Sequence, residues 1–256
     1  MMSKREDEDD REALSLKLML ERNARMHSRK SVENGRNFPV RENDVFVSTY
    51  PKSGTTWMQF LSHNVRLVIE NEFLDEEKAM NFNEITEKVP WDILAEDCRS
   101  IGTIGGAQDL RAGQSKTDPK NGLRLFKSHE SVEAIAKRKE GQMMARYVIV
   151  CRNPEDVFHS FHQFLPAYCG IDPEEIRAET FCDAIFAGAS HSGQYWEWNM
   201  DWFQFAEKHP ERVLMVCFED MKEDLAGVIR KVAKLMGEDF IASADLKEMC
   251  RRGSFE

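Results

Sequence analysis

The sequence predicts a three-layer α/β fold, in which a central, mostly parallel sheet is flanked by helices on both faces. Short apolar runs typical of strands alternate with segments of helical periodicity, which is the pattern of α/β layer proteins. The 256 residues are 41% hydrophobic and 31% charged, an ordinary globular composition that suffices to bury a sizeable core. We therefore expect a single domain over residues 13–256. The acidic lead-in at residues 1–12 is expected to be disordered or to form the frayed start of a helix.

The predicted elements follow in chain order. A first helix begins at Ala13 and suits docking on the body. Strands are predicted at 44–50, 123–127, 147–151 and 213–218, and helices at 57–70, 153–165 and 224–236. Asn153 is the N-cap of its helix and Pro154 the first helical residue, while Gly237 is a stop signal. Residues 98–122, rich in Gly, Ser and polar residues, are expected to form a long surface loop or lid.

Composition argues against several classes of protein. Thirty-five Lys and Arg against 45 Asp and Glu give a net charge of −10, which disfavours a general nucleic-acid binder. The longest stretch without Asp, Glu, Lys or Arg is residues 157–171, and these 15 residues are too few and too polar to span a membrane. The N-terminus is charged, and the six cysteines show no paired spacing. We expect a cytoplasmic protein with reduced thiols, no nucleic-acid partner and no membrane association.

The most informative stretch is a strand that runs through a short loop directly into a helix, at residues 45–57. The loop contributes a charged amine, hydroxyl donors and a glycine beside the helix N-terminus: Lys52, Ser53, Gly54, Thr55, Thr56 and Trp57. Glycine lets the backbone approach a ligand closely, and a helix N-terminus presents free N–H groups and a partial positive charge. The loop is therefore predicted to bind a phosphate, as in P-loop-type folds. An ordinary strand–turn–helix is the structural alternative.

The loop does not match the nucleotide-triphosphatase pattern, because Lys52 precedes Gly54 and no second glycine lies four residues ahead of it. A Mg²⁺-dependent nucleotide kinase is therefore the weaker interpretation. The carboxylates of Glu219 and Asp220, which follow the last predicted strand, have no matching loop and are interpreted as structural.

The string Tyr-Pro-Lys-Ser-Gly-Thr-Thr-Trp at 50–57 resembles the phosphosulfate-binding loop of the cytosolic sulfotransferases. These enzymes use 3′-phosphoadenosine 5′-phosphosulfate (PAPS) as sulfuryl donor. Further motifs match in the expected order: Phe-Lys-Ser-His at 126–129, the segment 147–157 with Ser160, and the weaker landmarks at 193–196, 218–221 and 253–255. The resemblance covers about residues 40 to 256 and implies a sulfotransferase that acts on a small-molecule acceptor without a metal.

Lys127 and His129 are two apart on a predicted strand, so their side chains should project from the same face. A histidine titrating near neutrality can accept a hydroxyl proton, although a lone histidine is more often structural. The resemblance implies that His129 is the general base, that Lys52 contacts the bridging oxygen and 5′-phosphate of PAPS, and that Lys127 lies on the sulfuryl group.

The remaining predicted contacts concern the nucleotide. Arg152 ends a strand, where its guanidinium suits a phosphate, although an ion pair is the default for an arginine there. The resemblance adds Ser160 to the 3′-phosphate site and places Trp196 where the family has an adenine-stacking Tyr. The ring of Tyr195 could stack on the adenine instead, or the aromatic side chains of the helix stripe at 196–202 could simply be part of the core. It also implies that Gly253, in place of a usual Thr, lies with Ser254 and Phe255 near the adenine.

The family usually continues to a Gly-rich segment that clamps the 3′-phosphate, whereas this sequence stops at Glu256. We expect that clamp and its nearby dimer contact to be absent, which would weaken PAPS binding by one to two decades if a charged hydrogen bond of about 1.5–3 kcal/mol is lost. A catalytically weak or silent PAPS-binding protein is therefore the alternative hypothesis. The chain is expected to be a monomer or weak homodimer, and Trp91 and Phe164 hint only weakly at an apolar acceptor.

Overall fold

The structure is a computed structural model that describes residues 4–74, 80–94, 122–136 and 145–254. Its sheet has four parallel strands, β1 (Asp44–Thr49), β2 (Arg124–Ser128), β3 (Arg146–Cys151) and β4 (Val213–Cys217), in the order β2-β1-β3-β4. All four predicted strands are confirmed, with ends shifted by one residue at most. The predicted loop at 98–122 lies almost wholly outside the described residues.

Ten described helices surround the sheet. They are α1 (Lys4–Ala24), α2 (Arg29–Asn37), α3 (Thr55–Ile69), α4 (Val132–Ile135), α5 (Pro154–Tyr168), α6 (Ala178–Ala184), α7 (Tyr195–Lys208), α8 (Phe218–Glu223), α9 (Leu225–Met236) and α10 (Ser243–Gly253). Short 3₁₀ turns lie at Ile85–Glu87 and Pro173–Glu175, and a π turn lies at Ile185–Ala189.

Two apolar cores, one on each face of the sheet, make three layers. Alternate β1 residues serve opposite faces: Phe46 packs with Phe126, Tyr147 and Trp202, whereas Val45 and Val47 pack in the core shared with α3, α9 and α10. The alternation follows from the two-residue period of a strand. The predicted three-layer α/β fold with a parallel central sheet is confirmed.

Local signals set the helix boundaries. Asn153 caps α5 by accepting the N–H of Glu155 at 2.9 Å, with Pro154 in the first turn. Asp224 caps α9, and Gly237 ends it in the left-handed region, φ 95°. These predicted boundaries are confirmed.

The N-terminal helix begins earlier than predicted. It starts at Lys4, so residues 4–12 of the lead-in are part of the helix. The predicted first residue, Ala13, is exposed, while Met19 and the polar Glu12 are buried. Glu12 pairs with Arg177 at 2.5 Å, which explains how a carboxylate comes to face the body.

Candidate functional site

The strand register brings the predicted site segments to one edge of the sheet. Ser48 of β1 pairs with Ser128 of β2, and Thr49 pairs with Val150 of β3. The loops that follow β1, β2 and β3 therefore leave the sheet side by side. In open α/β sheets this carboxyl edge is where ligands bind.

The loop after β1 is shaped by two residues with left-handed backbone. Lys52 has φ 70° and Gly54, the N-cap of α3, has φ 104°. A Cβ on Gly54 would lie 2.5 Å from Cδ2 of Phe218, so the Phe218 ring packs against the bare backbone there. The cap has no side-chain hydrogen bond, and the first N–H groups of a helix have no partner within it. The loop thus presents backbone donors beside Thr55 and Thr56.

Two buried polar atoms at this edge have no hydrogen-bond partner among the described residues: Oγ of Ser53 and Nε of Arg152. Buried polar atoms are normally satisfied by protein, water or a ligand, so these two have hydrogen-bonding capacity left for a ligand. The atoms belong to a hydroxyl and a guanidinium, both of which suit a phosphate oxygen. This donor set fits the anionic groups of a nucleotide phosphate.

Arg152 is tied to the loop by its own contacts. Its Nη1 donates to the carbonyl of Lys52 at 3.1 Å, and its guanidinium lies 4.4 Å above the ring of Phe218. Nη2 lies 3.4 Å from the exposed carboxylate of Asp156. The predicted default of an ion pair and the predicted phosphate position are therefore compatible. Ser160, half-buried, lies one helical turn beyond Asp156 on α5.

Lys127 and His129 share one aromatic neighbour, Trp91. The ammonium of Lys127 lies 3.9 Å above the Trp91 ring centre, and the His129 ring meets the same indole edge to face at 5.1 Å. Residues 90–92 are held there by the backbone of Lys127, whose N–H donates to the carbonyl of Pro90 and whose carbonyl accepts from the N–H of Asp92. Both side chains thus lie on one side of the chain, as the two-residue spacing predicted.

The hydrogen bonds of His129 determine its tautomer. Nδ1 lies 2.8 Å from the carbonyl oxygen of Thr49, and a carbonyl can only accept, so Nδ1 carries the proton. Nε2 then has the lone pair. Burial, followed by the charge of Lys127, lowers the pKa of His129 well below its usual value, despite the Thr49 bond. The imidazole is therefore neutral at physiological pH, the state a proton acceptor requires.

Both lysines lie over aromatic faces in a partly desolvated setting. The Lys52 ammonium is 4.0 Å from the ring centre of Phe164. Burial and then the charge of Arg152 lower the pKa of Lys52, while burial lowers the pKa of Lys127 to about 8. The positive charge of Lys52 is one of the causes that lower the pKa of Lys127, so the two ammonium groups repel each other. An anion between them would relieve this repulsion.

The two candidate stacking residues separate clearly. Tyr195 is 3% exposed and its hydroxyl donates to the carbonyl of Arg152 at 2.6 Å. Trp196 is 57% exposed and its ring is parallel to that of Phe186, at 5.9 Å. Tyr195 is therefore a structural support of Arg152, whereas the indole of the next residue, Trp196, is accessible to a ligand.

The predicted C-terminal landmark at 253–255 contacts α3, the helix that follows the phosphate loop. The indole N–H of Trp57 donates to the carbonyl of Gly253 at 2.8 Å, and a Cβ on Gly253 would lie 2.9 Å from a Leu61 methyl. Because the backbone at residue 253 lies this close to Leu61, a side chain there would clash, which explains the glycine. The hydroxyl of Ser254 donates to the carbonyl of Arg251 and is exposed. Phe255 lies outside the described residues.

Sequence reasoning missed how Phe218 and Trp91 connect the site, because neither stands in a pattern that signals contact with a distant loop. It also missed a polar cluster behind His129. The carboxylate of Glu130 pairs with Arg36 and accepts from Nε2 of His191 at 2.8 Å, and His27 lies edge to face with His191. Although burial opposes its charge, bonds from His191 and Arg36 hold the pKa of Glu130 below its usual value.

Within the described ranges, no group of three or more His, Cys, Asp or Glu side chains is arranged to hold a metal ion. No described helix is long and apolar enough to cross a membrane.

Comparison with known proteins gives one family. The family model described as the sulfotransferase domain matches residues 42–256. The chain is 27% identical to a flavonol 3-sulfotransferase of Flaveria bidentis over 79% of its own length and 59% of the relative's. It is 30% identical to sulfotransferase 1 family member D1 of Rattus norvegicus, over 79% of this chain and 61% of that one.

Solved structures share the fold. Retinol dehydratase in complex with androsterone and the inactive cofactor PAP superposes with a TM-score of 0.65 at 20% identity, over 88% of this chain and 68% of the other. A putative steroid sulphotransferase of Arabidopsis thaliana gives 0.63 at 21% identity, over 89% and 75%. The chain spans less than two thirds of the length of the flavonol and rat relatives.

Proposed function

Because the chain belongs to the sulfotransferase family, we propose that it transfers a sulfuryl group from PAPS to a hydroxyl or amine of a small-molecule acceptor. One observation carries the proposal: a neutral, buried His129 with its lone pair on Nε2 lies at the same sheet edge as a phosphate-type loop and two lysines. Base, anion cradle and cations are the groups that such a transfer requires.

The donor site is proposed from the orphaned donors and the loop. The N–H groups at the start of α3, Lys52, Ser53, Thr55 and Thr56 hold the 5′-phosphate. Arg152 and Ser160 hold the 3′-phosphate, and Trp196 stacks on the adenine. When bound, PAPS supplies the activated sulfuryl group. A nucleotide of this class accompanies the solved retinol dehydratase, where it is named PAP.

The proposed catalytic step at the acceptor is proton removal. His129 accepts the proton of the acceptor hydroxyl at Nε2, while the Thr49 carbonyl keeps Nδ1 protonated and stabilises the imidazolium that forms. Thr49 therefore fixes the orientation as well as the tautomer of the base.

Lys52 supplies positive charge where negative charge grows on the leaving oxygen, and Lys127 supplies it at the sulfuryl group that is transferred. Fixed cations in a site with little water stabilise a developing charge more strongly than water does. Their aromatic neighbours, Phe164 and Trp91, restrict each ammonium without neutralising it.

Trp91 is the proposed wall of the acceptor site, because it touches both Lys127 and the base. An aromatic wall suits a ring-bearing or apolar acceptor. The cytosol is the proposed compartment and a monomer or weak homodimer the proposed assembly; one Arabidopsis relative is named cytosolic sulfotransferase 14.

The test combines turnover with binding. Purified protein is incubated with sulfate-labelled PAPS and a panel of phenols, alcohols and amines, while calorimetry measures its affinity for adenosine 3′,5′-bisphosphate (PAP). His129→Ala should reduce turnover by about 10²–10⁴-fold and leave PAP affinity within about twofold. The matched control is His159→Ala, since His159 is an exposed histidine on α5.

Three results would contradict the proposal. Unchanged turnover in His129→Ala would remove the assigned base. PAP binding without product across the panel would favour the silent binding protein, and preference for ATP with Mg²⁺ over PAPS would favour a kinase.

A further inference from the structure

Two cysteines face each other at the carboxyl edge of the sheet. Cys151 ends β3 and Cys217 ends β4, and the two residues pair in register. Neighbouring strands lie about 4.8 Å apart, which is within the Cα–Cα range that a disulfide spans. Their Sγ atoms are 3.5 Å apart. Closing the bond to about 2.05 Å therefore requires a sulfur shift of roughly 1.5 Å, within reach of side-chain rotation and a small strand adjustment.

The two thiols differ in accessibility. Cys217 is exposed, whereas Cys151 is half-buried and its thiol points at the carbonyl of Val216 at 3.4 Å. Burial and the neighbouring Cys217 raise the pKa of Cys151 to about 12. Because the thiolate is the nucleophile, Cys217 is the thiol that an external reagent meets first.

We propose that Cys151 and Cys217 form a dithiol site that low-molecular-weight disulfides, of the glutathione disulfide class, oxidise to an intramolecular disulfide. The Cys217 thiolate attacks one sulfur of the reagent and releases one thiol, leaving a mixed disulfide. Cys151 then attacks the Cys217 sulfur, loses its proton and releases the second thiol. Overall, two protein thiols and one disulfide become one protein disulfide and two small thiols, and the reagent is the species reduced.

The site is coupled to the nucleotide contacts through the next residue on each strand. Arg152 follows Cys151, Phe218 follows Cys217, and the guanidinium lies 4.4 Å above that ring. The backbone N–H of Asn153 also donates to Glu219 at 3.1 Å. Drawing the strand ends together shifts these partners against each other and disturbs the ring that packs on Gly54.

Oxidation therefore weakens nucleotide binding, an effect that rests on the proposed function of the site. The expected loss is about tenfold in affinity for PAP, the size that one charge-assisted hydrogen bond carries. Because coupling between two sites is reciprocal, saturating PAP should shift the thiol–disulfide midpoint toward the reduced protein by the same factor.

The first experiment tests the dithiol site alone. The full chain is equilibrated with glutathione disulfide, quenched by alkylation and mapped by non-reducing peptide mass spectrometry. A Cys151–Cys217 linkage with the loss of two hydrogens is expected. Cys151→Ser should stop at a glutathione adduct on Cys217, and Cys250→Ser should behave as the unaltered chain. A stable adduct on Cys217 in the unaltered chain, or a linkage between other cysteines, would overturn the site.

The second experiment measures PAP affinity of the reduced and oxidised forms by calorimetry, with Cys217→Ser treated identically. A tenfold loss in the oxidised chain and no loss in Cys217→Ser supports the coupling. Equal affinities overturn the coupling while the mapped linkage stands. Failure of the reduced chain to bind PAP overturns the proposed nucleotide site and the coupling together, again without touching the mapped linkage.

Discussion

Replacing Gly54 by alanine probes the geometry of the phosphate loop most directly. Gly54 has φ 104°, a conformation that a residue with a Cβ rarely adopts, and its backbone faces the Phe218 ring. The substitution adds one methyl group and no charge. Any effect on nucleotide binding therefore comes through loop shape rather than through a lost donor.

The expected destabilisation has two parts. The left-handed backbone costs about 1–2 kcal/mol for a non-glycine residue, offset by about 0.4–1 kcal/mol because alanine restricts the unfolded chain. The added Cβ would lie 2.5 Å from Cδ2 of Phe218, so the ring must move by about 1 Å. Overpacking of this kind costs about 1–3 kcal/mol, which brings the expected total to about 1–5 kcal/mol.

Gly193 provides a matched control. It also has positive φ, 76°, but a Cβ there meets no atom within 4 Å. Gly193→Ala should therefore show only the backbone part, at most about 1.5 kcal/mol. Urea unfolding of both variants measures the difference, and calorimetry with PAP should show about tenfold weaker binding for Gly54→Ala only. If both variants lose equal stability and bind PAP equally, the Phe218 contact does not shape the loop.

Three further predictions test separate features. Asp44→Asn should destabilise the protein by about 3–5 kcal/mol in urea unfolding, because it leaves the buried guanidinium of Arg124 without the carboxylate that lies 2.5 Å from it. The control Glu33→Gln, which removes an exposed ion pair with Arg29, should change the free energy of unfolding by less than about 0.5 kcal/mol. Trp196→Ala should weaken PAP binding by about 1–3 kcal/mol in calorimetry, whereas Phe203→Ala, equally exposed on α7, should not. Since the pKa of Lys127 is about 8, kcat/KM for PAPS should fall as the pH rises through 8, whereas Lys127→Arg should keep its rate above pH 8. A flat wild-type profile would exclude the amine from the donor step.

The strands and the phosphate loop were predictable because each is specified by neighbouring residues. Continuous apolar runs mark buried parallel strands, and Asn153, Pro154 and Gly237 act within one helical turn of where they stand. Gly54 belongs to the same class, since its φ of 104° is a conformation that glycine adopts readily and that residues with a Cβ rarely adopt. The pairing of Lys127 and His129 also follows from a local rule, the two-residue period of a strand.

Contacts between distant segments were not predictable in this way. Trp91 reaches the site by pairing beside β2, and Phe218 reaches it across the sheet. In the sequence, Phe218 stands in a weak family landmark and Trp91 is a weak hint of an apolar acceptor, and neither signal names the distant segment that the side chain contacts. The inward position of Glu12 on α1 was missed for a related reason: its carboxylate pairs with Arg177, a residue 165 positions away. An apolar pattern alone does not reveal a charged partner in another part of the chain.

In the strand order β2-β1-β3-β4, the proposed site residues fall into two sets, one on each side of β1. On one side, Trp91 and the end of β2 supply the proposed base, His129, and its aromatic wall; on the other, β3 and β4 supply the proposed nucleotide contacts of Arg152 and Phe218. Within the part of the chain that the structure describes, the end of β1 and the turn after it contact both sides, through the carbonyls of Thr49 and Lys52. We therefore expect that a chimera can exchange the proposed acceptor side while it keeps the proposed donor side.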